Sequence, residues 1–394
     1  MRRILFVHHV SSVGGGSYCL LNLVKSIDRS LFEPVVLLQG NGTLAEEFNR
    51  LGIRVVFMPE LRQIPYNEPL LRYKSVKAYF RVFRSLGKFE RILKEESPDI
   101  VYLNNMMISP YLKPAKDNGC ITVMHVREHW PLNEHRMQLK WVRSIVGKYC
   151  DRIVAINGYS ASIFPDIRST VVYDWIDMDS RDKPVCLDDL FGESMAGKKL
   201  FLFMGGVLRI KGAYEVMKTF CTRLTDSSYR LLVLGCTKDL SGRGLTGRIK
   251  MLMYKLGVPT YEYKVKMLAR NDSRVLCIPG TYEMKSIMQQ SYCMLSYYTI
   301  PHANLSMAEA IVLGLPAVAA DTEEAREYSL DGRMACLFRM NDIDSFERAV
   351  RGLLADDSRL RASLASEDRK IVEEMFSPAK NISVLNTFLS GLVS

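Results

Sequence analysis

No CxxC pair, no HExxH and no GxSxG occurs in the 394 residues, and no apolar run approaches the length of a bilayer span. The first two absences leave little support for a zinc site, and the third little for a serine hydrolase. Without a spanning run, the chain is expected to be soluble or peripheral to a membrane. The cysteines number nine, an odd count, and several sit inside apolar runs, such as Cys277 in VLCIP and Cys293 in SYCMLSY. Buried free thiols in a reducing compartment fit this better than disulfides or a metal site. No low-complexity tract, nucleic-acid finger or base-stacking motif is present. MRRILFVHHV begins like a signal peptide, but its apolar stretch is too short and holds His8 and His9. It reads as a first strand, with a cytoplasmic location expected.

What is present is typical of a soluble globular chain, with 48% hydrophobic and 24% charged residues. Its length favours two domains. A net charge of +10 favours an anionic partner without choosing one. β-rich runs (RRILFVHH, FEPVVLLQ, IRVVFMP, DIVYLNN, ITVMHVRE, DRIVAIN) alternate with amphipathic helical segments. They lack strict alternation and are bounded by turn residues, as buried parallel strands are. The pattern lapses between Ile176 and Lys199 and restarts with LFLFMGG, YRLLVLG, RVLCIPG, YCMLSYY and LPAVAA. The expected fold is α/β, with two doubly wound Rossmann-like domains facing a central cleft. The boundaries fall at 1–178 and 179–376, and a C-terminal helix at about 377–394 packs back on the first domain.

Four segments carry candidate chemistry. Gly14-Gly15-Gly16-Ser17 follows strand one and opens a helix, whose free amides suit a phosphate, although the loop lacks the GxGxxG spacing. Gly205 to Gly212 (GGVLRIKG) combines a glycine turn with Arg209 and Lys211, which can neutralise a diphosphate. Near Asn304, Leu305 and Ser306 a capped helix begins, and Glu309, about one turn in, can accept hydrogen bonds from a ribose diol. His125 ends the strand ITVMHV, where a side chain points into the ligand crevice and can bind a hydroxyl or handle a proton. Each has a plain structural reading beside it: a tight turn, a solvated basic loop, a helix-dipole carboxylate, a structural histidine. His129 and His135 read as surface residues.

Taken in order, these motifs resemble the retaining GT-B glycosyltransferases of family 4. HVRE sits at the fifth strand, and VVYDWID is similar to the family's "vi.nGvD". GGVLRIKG is similar to "GRLxxxKG", and MAEAIVLGLPAVAAD to "LEAMAxGxPVVaxD". Glu327 with Asp331-Gly332 is similar to "E.v.dG". The resemblance implies a nucleoside-diphosphate sugar held by the C-terminal domain. In that reading Glu309 binds the ribose, Lys211 the diphosphate, and the amides at Asn304 and Leu305 the phosphates. His125 lies near the transferred sugar, and Gly15 and Gly16 approach the diphosphate. Two positions depart from the pattern: the first motif glutamate falls on Pro301, and the arginine of "GRL" on Gly206. Arg209 can replace the lost cation and His302 a sugar contact.

Family membership implies transfer with retention of anomeric configuration; no candidate for a double-displacement nucleophile is seen, so front-face transfer is expected, with no metal or other cofactor required. The acceptor is read from Leu70 to Lys94. That segment mixes Tyr79, Phe80, Phe83, Leu86 and Phe89 with Arg72, Lys74, Lys77, Arg81, Arg84, Lys88 and Arg91. Such a basic amphipathic helix suits an anionic membrane face and a lipid-linked or polysaccharide acceptor, and it equally suits a packed helix with a solvated basic face. A second basic stretch runs from Arg243 to Arg270. Rival readings are a non-catalytic relative, which Pro301 and Gly206 would explain, and a nucleotide-sugar epimerase. No nucleic-acid partner is expected.

Overall fold

The computed structural model describes residues 1–12, 14–66, 68–69, 71–132, 134–177, 183–239, 260–281 and 283–393. The chain divides into two compact units, Met1–Trp175 with Ser377–Ser394, and Ile176–Phe376. The second basic stretch lies outside the described residues up to position 259. Lys264, Lys266 and Arg270 fall on the helix Tyr261–Asn271.

The N-terminal unit holds a seven-stranded parallel sheet. Its strands are β1 (Arg2–His8), β2 (Phe32–Leu38), β3 (Arg54–Phe57), β4 (Ile100–Leu103), β5 (Ile121–Val126), β6 (Arg152–Ala155) and β7 (Ser169–Val171). Their order is β3-β2-β1-β4-β5-β6-β7. Helices cover both faces, so β1 is apolar at every central position. Ile4 and Phe6 join one buried cluster while Leu5 and Val7 join the other. The C-terminal unit holds six parallel strands. They are β8 (Lys199–Phe203), β9 (Tyr229–Leu234), β10 (Val275–Ile278), β11 (Cys293–Ser296), β12 (Ala317–Ala320) and β13 (Cys336–Phe338). The order is β10-β9-β8-β11-β12-β13. The order of strand addition reverses between β1 and β4 in one sheet and between β8 and β11 in the other. Ligand crevices of doubly wound sheets open at the carboxyl ends of such strands.

The three-residue edge strands β7 and β13 are not among the strands read from the sequence. The helix Pro378–Ser390 starts with proline at its first turn, and the Ser377 side chain accepts from Lys380 N at 3.4 Å. It buries Leu385 and Leu389 in the same cluster as Ile4 and Phe6. Each such leucine is worth about 1.5–3 kcal/mol. Asn381 Oδ1 accepts from Tyr173 N at 2.9 Å, and Asn386 Oδ1 from Asp28 N at 3.1 Å.

The basic segment forms the helix Tyr73–Glu96. Its apolar residues divide by face. Phe89 is fully buried, and Tyr79 packs edge-on against Trp141, while Phe80 and Phe83 stay 64% and 51% exposed. Tyr73, Val76, Phe80 and Phe83 share one outward stripe by their three- and four-residue spacing, flanked by exposed Lys77, Arg84 and Arg91. Among the described residues no helix is long and apolar enough to cross a membrane.

Candidate active site

In the N-terminal unit, polar side chains gather where β1, β4 and β5 end. Arg127 follows β5 and is almost entirely buried. Its Nη1 donates to both Asp174 carboxylate oxygens at 2.6 and 2.7 Å, and its Nε donates to Asn104 Oδ1 at 2.9 Å. With that oxygen engaged, the Asn104 amide nitrogen faces His8 Nδ1 at 3.2 Å as a donor. The proton of His8 then sits on Nε2, which lies 3.1 Å from Ser17 Oγ. One chain of bonds therefore runs from Ser17, just past the glycine loop, to Asp174. Burial first, then the charges of His9 and Arg127, hold His8 down to about 3, so it is neutral at physiological pH.

His125 stands beside this network. It is buried, with Nδ1 2.9 Å from the Tyr102 hydroxyl, and Nε2 has no partner among the described residues. Burial and the nearby Arg127 charge hold its pKa well below the usual histidine range. It is a neutral hydrogen-bonding group at pH 7, which makes it a poor proton carrier. Glu128 accepts from the amides of Met106 and Arg127, each at 3.2 Å, and burial still pushes it up to about 7. His129 is not a surface residue: its ring is buried and stacks on Tyr159, centroids 4.0 Å apart. Burial of the stacked pair outweighs exposure of the polar edge. Gly15 and Gly16 form the exposed first turn of the helix Gly15–Lys25, and an added Cβ on either would meet nothing within 4 Å.

The C-terminal unit gathers its residues at the ends of β8 and β11. Arg209 and Lys211 bracket a short 3₁₀ turn that Thr299 pins: its amide donates to Ile210 O at 2.9 Å. Gly212 has φ of 69°, and a Cβ there would lie 2.1 Å from Tyr297 O, so only glycine lets the two segments meet. The next helix is already capped, because Tyr214 N donates to the Tyr261 hydroxyl at 2.8 Å. This loop therefore offers an anion its cations more than its amides. Lys211 Nζ sits 5.7 Å from the Tyr298 ring centroid, and His302 packs on the same ring. Arg209 is exposed.

Asn304 caps the helix Leu305–Val312, its buried side chain accepting from Met307 N at 3.2 Å and from Ser296 Oγ at 3.1 Å. The amides of Leu305 and Ser306 precede the first acceptor inside the helix and remain available to an anion. Glu309 keeps some accessible surface, but its carboxyl lies deep among protein atoms. Burial pushes its pKa up to about 7, against the opposing Lys211 charge. Lys211, Glu309, His302 and the Asn304 cap thus share one region of this unit. Arg127 and Asp174 lie in the motifs HVRE and VVYDWID, which gave them no role, and Asn104 and Tyr298 lay outside the four candidate segments; chain crossings place them here.

Gly206, where the resemblance would have arginine, has φ of 57°, and a Cβ would lie 2.7 Å from Gly235 O. Gly206→Arg is expected to lose about 1–3 kcal/mol of stability in the C-terminal unit, measured by thermal unfolding. An arginine variant as stable as the parent and binding nucleotide more tightly would refute this.

Two units, each a doubly wound parallel sheet with polar groups at the carboxyl ends of its strands, make this chain a GT-B protein. Residues 13–180 match the family described as Glycosyltransferase Family 4, so the N-terminal half carries that domain, which bears out the family of the resemblance for that half. The whole chain is similar in fold to HepE of Anabaena, solved with UDP and glucose, at 16% identity, TM-score 0.72, and coverage of 100% and 99% of the two chains. It is similar to sucrose-phosphate synthase of Thermosynechococcus elongatus at 12% identity, TM-score 0.71, and 100% and 99% coverage. It is also similar to the lipopolysaccharide outer core galactosyltransferase WaaB at 17% identity, TM-score 0.60, and 100% coverage of both. No curated protein matches it in sequence.

Proposed function

We propose that the protein transfers a sugar from a nucleoside-diphosphate sugar to an acceptor hydroxyl with retention at the anomeric carbon. The observation that carries this reading is the grouping of Lys211, Glu309 and the Asn304-capped helix start in one unit. Glu309 takes the ribose diol, and the Leu305 and Ser306 amides with Lys211 and Arg209 take the diphosphate. During transfer the bond from the anomeric carbon to the phosphate oxygen breaks. The acceptor oxygen bonds on the same face, and its proton goes to the departing phosphate. Negative charge grows on that phosphate, where fixed cations and amides stabilise it most. These cations supply the compensating charge, so the reading needs no metal.

The test is a thermal-shift panel of nucleoside diphosphates and nucleotide sugars, with Glu309→Ala in parallel. A ligand of the native state stabilises it by mass action, by about 2.7 kcal/mol at one hundred times Kd, and so raises the melting temperature. One base series should stabilise the parent and not the variant. If no nucleotide stabilises the parent, the non-catalytic alternative takes its place. Glu309 also sets a pH dependence. Its carboxyl is raised to about 7, so it is protonated below that pH and accepts less well from a diol. Affinity for a nucleotide sugar, whose diphosphate diester does not titrate here, should rise with pH up to about 7 and then level. Below 7 the slope is at most about tenfold per pH unit. Calorimetry at pH 6 and pH 8 should show this for the parent and a flat profile for Glu309→Gln.

For the acceptor, the outward stripe of Tyr73, Val76, Phe80 and Phe83 beside exposed lysines and arginines supports a lipid-linked substrate reached from an anionic membrane face. Six of those cations, Lys74, Lys77, Arg81, Arg84, Lys88 and Arg91, have no acidic partner among the described residues. Each is worth about 1 kcal/mol near an anionic surface. Sedimentation with phosphatidylserine vesicles should capture the parent. Phe80→Ser with Phe83→Ser should release it by on the order of tenfold or more, given about 1.5–3 kcal/mol per buried phenylalanine. Equal capture of both proteins, or of neither, would remove the membrane from this reading.

A further inference from the structure

Behind the Gly205–Gly212 loop lies a pair of thiols that the proposed transfer does not use. β9 and β10 run parallel, with Cys277 opposite Val233. Beyond β9 the chain stays against its neighbour, since Gly235 N and Cys236 N both donate to Ile278 O, at 2.9 and 3.1 Å. This crossing brings Cys236 beside Cys277, near enough for each thiol to perturb the other. Both are free thiols, Cys236 buried and Cys277 partly exposed. Lys266, on the helix that packs beside them, donates to Asp239 O at 3.0 Å and brings its charge near both sulfurs.

The surroundings distinguish Cys236 from the other cysteines. Burial pushes Cys150 and Cys221 up to about 12, so they stay protonated and inert. Cys236 moves the other way, lowered first by the neighbouring Cys277 thiol and aided by Lys266 against its burial. A thiol of lowered pKa beside a second thiol is the arrangement that oxidises reversibly. The pair is also mechanically tied to the loop, because Gly206 N donates to Leu234 O at 2.9 Å and its Cα packs on Gly235.

We propose that Cys236 and Cys277 form a reversible disulfide under mild peroxide, and that the bond changes the affinity of the adjoining Gly205–Gly212 loop for nucleotide. The second half rests on the donor reading above. The Cys236 thiolate attacks one peroxide oxygen, giving a sulfenic acid and releasing hydroxide. The Cys277 sulfur then attacks the sulfenyl sulfur and forms the S–S bond. The sulfenyl oxygen and the Cys277 proton leave as water. Two thiols are oxidised and one peroxide is reduced to two waters. A small dithiol reverses the reaction by exchange. Closing the bond draws the two sulfurs together to about 2.05 Å. Gly235, between Cys236 and the contact with Gly206, moves with them.

The experiment treats the full chain with hydrogen peroxide, maps disulfides by peptide mass spectrometry, and measures binding of UDP, GDP and ADP by calorimetry. The protein is compared reduced, oxidised and re-reduced with dithiothreitol. The expected result is a Cys236–Cys277 peptide as the main disulfide. Affinity for the bound nucleotide should change on the order of fivefold or more and recover on reduction. Neither Cys277→Ala nor Cys236→Ala should form this disulfide or show the affinity change that dithiothreitol reverses. Peroxide that leaves both thiols free, or that joins other cysteines first, overturns the pair. A mapped disulfide with unchanged affinity overturns the coupling. A mapped disulfide in a chain whose reduced form binds none of the three nucleotides overturns the donor reading while the modification site stands on the map.

Discussion

Lys211→Met is expected to lower kcat/KM for sugar transfer by on the order of 10²–10³, the loss typical of removing one group that stabilises transition-state charge. Methionine keeps the stem against Tyr298 and removes the ammonium. Among the candidate cations Lys211 is the better placed, since its turn is pinned by Thr299 and it faces Glu309 and Tyr298. Arg209 is exposed and must be drawn in by a ligand. Steady-state kinetics with the nucleotide sugar found by thermal shift decides the matter. A loss in kcat as well as kcat/KM marks charge that develops in the transition state. A loss confined to KM would mean that Lys211 only holds the ground state. If Arg209→Ala is the more damaging change, the two assignments exchange.

Arg127→Ala is expected to cost about 3–5 kcal/mol in the N-terminal unit, the usual consequence of breaking a buried ion pair by removing one partner. Asp174 would lose both of its short bonds from Nη1, and Asn104 its bond from Nε. Cutting an exposed pair such as Arg50 with Glu47 should cost no more than about 1 kcal/mol. Trp130, Trp141 and Trp175 all lie in this unit. Urea unfolding followed by tryptophan fluorescence therefore reports it directly. Arg127→Lys should recover part of the loss, because a point charge replaces the planar fork. A cost below about 1 kcal/mol for Arg127→Ala would show that the network is not a structural anchor.

The long central strands were legible because parallel strands buried on both faces are apolar throughout, and RRILFVHH and LFLFMGG need no partner to be recognised. β7 and β13 were not, because a three-residue edge such as Ser169–Val171 has no run long enough to stand out from a loop. The Asn304 cap could be read locally, since capping depends on residues three apart. His129 was misread because a polar ring beside charged residues resembles a surface until Tyr159 is known to stack on it.

The sequence by itself determined the order of strands and helices, the glycine turns, and the residue types available at each strand end. Those depend on local sterics and on the periodicity of apolar side chains. Only the tertiary structure decided which of these residues meet. Asp174 reaches Arg127 across 47 positions of chain, Thr299 reaches the Arg209–Lys211 turn, and the last helix returns to the first unit. It also decided protonation, because burial depends on every element packed around a group. Burial holds His125 neutral and raises Glu309 to about 7, and it does so through neighbours distant in the chain.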